Sequence, residues 1–118
     1  MSYSRLSIIN CEPKSEVNCN VEASLSILGG KWKLKIYKTL RNDKQLRFKD
    51  IKALLEPISD KTLSAQLREM EEDGLLIREV FAEVPPRVEY YLTELGQSLE
   101  AIFMALDQWG QQYISQQK

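Results

Sequence analysis

Apolar residues in this 118-residue chain recur at two spacings, and the change from one to the other divides it. In CNVEASLSILGG, Val21, Leu25 and Leu28 fall at i, i+4 and i+7, which predicts an amphipathic helix halted by Gly29 and Gly30. KWKLKIYKTL repeats that spacing with Trp32, Ile36 and Leu40, while Leu34 and Tyr37 widen the apolar side. RNDKQ reads as a polar loop. RFKDIKALLEP then carries Phe48, Ile51, Leu54 and Leu55 in a short third helix, ended by Pro57 because a proline pushes its predecessor out of the α region. In ISDKTLSAQLREMEEDG, Ser59 is an N-cap, Ile58 and Leu63 form a hydrophobic staple, Asp60 suits the positive dipole end, and Gly74 lies just past the C-terminus.

The spacing then drops to two. VEYYL sets Val88, Tyr90 and Leu92 on one face against Glu89 and Tyr91, a half-buried strand, and LLIREVFAE upstream supplies its partner. Pro85 and Pro86 cannot donate to a ladder, so the connection over 82–87 is a long, stiffened loop ending in an arginine. After Thr93, a further N-cap, Leu99, Ile102, Leu106, Trp109 and Tyr113 alternate spacings of three and four along a last helix of about twenty residues, broadened by Leu95 and Phe103. That stripe either closes the chain's own core or forms a seam with a second copy. In so small a domain the far turns have too little of their own core to cover them, which favours the partner. The predicted fold is mainly α with a small β-hairpin: a winged helix-turn-helix, with the third and fourth helices joined by a short EPIS turn. Residues 1–18 are read as an N-terminal arm and 19–118 as one winged-helix domain with a C-terminal dimerisation helix.

Charge narrows the function. The formal net charge is only −1, yet residues 31–52 hold nine lysines and arginines against two aspartates, a local +7. Such a run is either a solvated face or a surface for phosphate, because local charge sets nucleic-acid affinity. The fourth helix favours the second reading. Opposite its buried stripe of Leu63, Leu67 and Met70 lie Lys61, Ala65, Arg68 and Glu72, flanked by Thr62 and Ser64. Small residues let the helix approach base edges, and hydroxyls and cations can bond there. Ser59, Lys61, Thr62, Ser64, Ala65 and Arg68 are therefore the expected groove-reading set. Lys31, Arg47 and Lys49 are expected on the DNA backbone, and Pro86 and Arg87 of the wing on backbone or minor groove. Arg87 has an internal alternative, an ion pair to Glu83 or Glu89.

Other classes lose ground. The chain has no histidine, and no phosphate loop, metal-ligand cluster or catalytic pair is visible, so neither an enzyme nor a bound cofactor is expected. No stretch approaches the roughly 18 apolar residues of a membrane span, and Leu6, Ile8 and Ile9 are too few for a signal-peptide core. The cytoplasm is the expected location, where Cys11 and Cys19 would be thiols. Cys19 is expected at the start of the first helix, where the macrodipole favours a thiolate; buried, it would instead be a small packing residue.

LGGKWKLKIYKTL, RFKDIKALLEPISDKTLSAQLREMEEDGLLIREVF and VPPRVEYYLTELG, in this order, resemble the HxlR-type bacterial transcription regulators, winged-helix relatives of the MarR group. The resemblance runs from about Cys19 to the last helix. It implies a DNA-binding homodimer that regulates transcription, with the recognition helix at 59–73 and the wing at 82–87; the two-fold symmetry of such a dimer predicts a pseudo-palindromic duplex operator. It also places Cys19 at a cysteine that some members use to sense oxidants or electrophiles, which makes Cys19 a candidate thiol sensor; Cys11 lies outside the resemblance and is a candidate resolving partner only where its segment folds back. Asn20 departs from the proline of many relatives. The competing class is a winged-helix module that docks on an acidic protein and binds no specific DNA.

Overall fold

The computed structural model describes residues 17–117, with side chains from Asn20 onward. Helix α1 spans Val17–Leu28 and α2 spans Lys33–Leu40. A two-residue strand β1, Leu46–Arg47, leads directly into α3, Phe48–Leu54, and a turn delivers the chain to α4, Asp60–Glu72. Strands β2, Leu76–Phe81, and β3, Arg87–Leu92, form the hairpin, followed by α5, Glu94–Gln97, and α6, Leu99–Gln116. This is the expected mainly helical winged helix-turn-helix. The sheet has three strands rather than two, in the order β1-β3-β2, all antiparallel. RNDKQ is a loop as expected, but Leu46 and Arg47 after it pair with Tyr90 and Glu89. Two residues are too short for any periodicity, so only the free edge of β3 reveals that strand.

The core is built where helical stripes meet the sheet's inner face. Ile36, Tyr37 and Leu40 of α2, Ile51 of α3 and Leu63, Leu67 and Met70 of α4 are buried against Leu76, Tyr90 and Leu92. Ser59 caps α4 by accepting from the Thr62 N–H at 3.1 Å. At the other end Leu75 N–H donates to Met70 O and Gly74 N–H to Glu71 O, with Gly74 at φ 78°, a helix stop that needs glycine. Thr93 then ties the hairpin back: its N–H donates to Leu75 O, and its hydroxyl donates to Gly74 O and accepts from the Gly96 N–H. A Cβ at Gly96 would overlap the Leu75 carbonyl, so this junction tolerates no side chain.

Two expected stripes divide differently. Leu99 and Phe103 of α6 turn inward, with Leu99 buried in the chain's own core and Phe103 set 5.0 Å from the Tyr37 ring. Leu99 therefore leaves the expected dimer seam, because the first turn of α6 still lies over α2. Ile102, Leu106, Trp109 and Tyr113 face outward and are exposed. On α1, Val21 and Leu25 are likewise exposed, 49% and 66%, while Ile27 and Leu28 pack against the core. Leu34 of α2 is also exposed rather than part of the core side. No helix among the described residues is long and apolar enough to cross a membrane.

Candidate nucleic-acid interface

Helices α3 and α4 and the turn between them form the helix-turn-helix, and burial of Leu63, Leu67 and Met70 turns the opposite face of α4 outward. Lys61, Ser64 and Arg68 are exposed along that face, and Ala65 is half-buried. Ser59 and Thr62 are committed to the helix start, since Ser59 Oγ also donates to Thr62 Oγ1 at 2.9 Å. Lys52 Nζ lies 2.6 Å from Asp60 Oδ1, clipping α3 to the first turn of α4. Asp50 Oδ2 accepts from the Arg47 N–H at 3.2 Å and starts α3, leaving the Arg47 and Lys49 side chains exposed near β1.

The local +7 is not one surface. Lys33 is buried, its side chain 5% exposed, with Nζ 2.7 Å from Glu69 Oε1 of α4. Lys31 and Lys35 lie over the Trp32 ring, with Nζ 4.9 and 4.8 Å from its centroid. Lys38 and Arg41 face α6, where with Glu100 and Asp107 they rim a cleft of about 420 Å³ between α2 and α6. The backbone candidates Lys31, Arg47 and Lys49 remain exposed.

In the wing, Pro86 is exposed and Arg87 is engaged internally. Its Nη1 lies 2.9 Å from Glu83 Oε2, its guanidinium carbon 4.1 Å from the Phe81 ring centroid, and its Nε 3.1 Å from Glu89 Oε2. The Nε contact is electrostatic and not an aligned hydrogen bond. The ion pairs expected for Arg87 are formed: register sets Phe81 opposite Arg87, and strand alternation puts Glu89 on the same face. A further cation outside the expected set, beyond the paired Lys33 and Lys52, lies beside α4. Arg78, across from Tyr90, shares a cleft of about 370 Å³ with Ser64, Arg68 and Glu71. Its signal was parity, since Arg78 shares a strand face with Leu76, which is buried in the core.

Cys11 lies outside the described residues, as does the side chain of Cys19, whose backbone falls in the first turn of α1.

A helix-turn-helix followed by a β-hairpin wing, presenting small and basic side chains on its second helix, defines a winged-helix transcriptional regulator. The HxlR-like helix-turn-helix family matches over residues 27–118, and the chain belongs to that family. An uncharacterized HTH-type transcriptional regulator of Methanothermobacter thermautotrophicus is 47% identical over 103 residues, covering 87% of this chain and 78% of that protein. The crystal structure of a MarR-family transcriptional regulator from Enterococcus faecalis V583 superposes with a TM-score of 0.78 at 35% identity, over 90% of this chain and 96% of the other. The redox regulator HypR in its oxidized form superposes with a TM-score of 0.70 at 41% identity, over 80% and 96%.

Proposed function

We propose that the protein is a homodimeric, sequence-specific DNA-binding regulator that inserts α4 into the major groove and lays its wing along the neighbouring backbone or minor groove. The observation that carries the reading is the two-sided α4, whose apolar stripe is consumed by the core while Lys61, Ser64 and Arg68 stand free on the other side. Exposed Arg47 and Lys49 beside it suit phosphates, and Lys31 extends that role to the start of α2. The wing contributes mainly shape: Arg87 stiffens it through Glu83, Glu89 and Phe81, and Pro86 with its neighbours meets the DNA. Dimerisation is supported by the exposed Ile102, Leu106, Trp109 and Tyr113 of α6 together with Val21 and Leu25 of α1. A two-fold dimer requires half-sites about one helical turn, or a multiple of it, apart.

The test selects bound sequences from a random duplex library and then titrates salt. A pseudo-palindrome should emerge, and affinity should fall steeply with salt as counterions are released. Ser64→Ala should alter sequence preference, whereas Lys49→Ala should weaken preferred and scrambled duplexes alike and make the slope shallower by about 0.9 for each phosphate no longer neutralised. Protection of a single non-symmetric site by a monomer would sink the dimeric reading. Salt-insensitive binding, or none, would transfer the fold to the protein-docking role. A thiol response is supported by the likeness to HypR, named as a redox regulator. In the same assay a thiol oxidant should change wild-type affinity and leave Cys19→Ser unaffected; an equal response of both returns Cys19 to a packing role.

A further inference from the structure

The cations around α4 are not equivalent. Lys33, Lys52 and Arg87 are each held by a carboxylate. Arg68 of α4 and Arg78 of β2 are exposed, form no ion pair among the described residues, and line the same cleft of about 370 Å³. Among the described residues Glu71 is the one acid lining that cleft, so two guanidinium groups share it with one carboxylate. Like charges brought together repel, and an anion between them relieves the repulsion. Guanidinium forks match phosphate oxygens two at a time. The cleft lies between the helix meant for the major groove and the hairpin meant for the backbone beside it, which is where a DNA strand must cross.

We infer that Arg68 and Arg78 jointly seat one backbone phosphate of the duplex, in each subunit, where the strand passes from α4 to the wing. This rests on the DNA-binding reading above. It moves Arg68 from reading base edges to holding the backbone, and leaves discrimination to Lys61, Ser64 and Ala65. Register makes the pair a gauge of position: α4 supplies one arginine and the sheet the other, so the phosphate is gripped fully only when both elements are docked together.

The experiment uses the duplex selected by the wild-type protein, a scrambled duplex, and a set of duplexes each carrying one methylphosphonate, which removes a single phosphate charge. One neutralised position per half-site should weaken wild type about tenfold, the scale of one charge-assisted hydrogen bond. Arg78→Met should weaken preferred and scrambled duplexes alike by about tenfold and be indifferent to the methylphosphonate at that position. Arg78→Lys should recover part of the affinity. Arg68→Ala, at an exposed helix position where folding is not at stake, should become indifferent to the same methylphosphonate. Undiminished sensitivity of Arg68→Ala and Arg78→Met at every position overturns the inference, as does a loss by Arg78→Met confined to the preferred duplex, which would mark a base contact. If wild type binds no duplex, the DNA-binding reading falls as well; if it binds and the variants leave the phosphate scan unchanged, only the shared phosphate seat falls.

Discussion

Lys33, Arg87 and Tyr37 show what a residue's neighbours add to its type. By composition Lys33 belongs to a basic run, yet it is buried on Glu69. Arg87 ends a loop built to protrude, yet lies against Phe81 between Glu83 and Glu89. Tyr37 was legible as an apolar position of α2 but not as a titrating one. Burial, and secondarily the Glu100 carboxylate, push its phenol above the ordinary 10.0, with Arg41 partly opposing. A proton held more tightly in the folded state stabilises the fold fully below the unfolded pKa, and that contribution is lost as pH rises through the folded value. Urea midpoints should therefore decline above about pH 10 in wild type and decline less in Tyr37→Phe. Identical alkaline declines in both would remove burial of this phenol as a cause.

At the scale of elements, α4 was the most legible because its signals agreed: cap, apolar stripe and terminal glycine all appear in place, and the staple residues Ile58 and Leu63 are both buried. Strand β1 was invisible because β3, and not its own sequence, organises it. What joins α2 to α4 was also hidden. The Lys33–Glu69 contact, at 2.7 Å, ties the helix beside α6 to α4. Removing the carboxylate strands a buried ammonium, whereas removing the ammonium leaves a half-exposed carboxylate that water can solvate. Glu69→Ala should cost about 2 kcal/mol and Lys33→Met less than about 1 kcal/mol, read from denaturant midpoints. Equal losses for the two variants would show that the pair's burial does not set the cost.

For the whole molecule, the arrangement of α6 separates two jobs that one stripe could have served. Leu99 and Phe103 close the core, and Ile102, Leu106, Trp109 and Tyr113 form a separate outward row, with Trp109 and Tyr113 stacked at 5.4 Å. A flat aromatic pair on an exposed row is the kind of anchor that dominates an interface. Trp109→Ala should weaken self-association by about tenfold to a hundredfold, measured by sedimentation across a concentration series. A wild-type chain that stays monomeric throughout that series would rule the row out as a dimer seam.

Local patterns in the sequence determined the helices, the hairpin, the stop at Gly74, the outward face of α4 and the family resemblance, because periodicity, capping and turn chemistry act over a few neighbouring residues. Packing between distant segments decided the rest. It buried Lys33, folded Arg87 into the wing, turned Leu99 inward and Val21 and Leu25 outward, and set Arg78 beside Arg68. Arg68 and Arg78 are ten positions apart in the chain and share no local pattern. They line one cleft only because β2 packs against α4, and the direction of a side chain across such a gap is fixed by tertiary contacts alone.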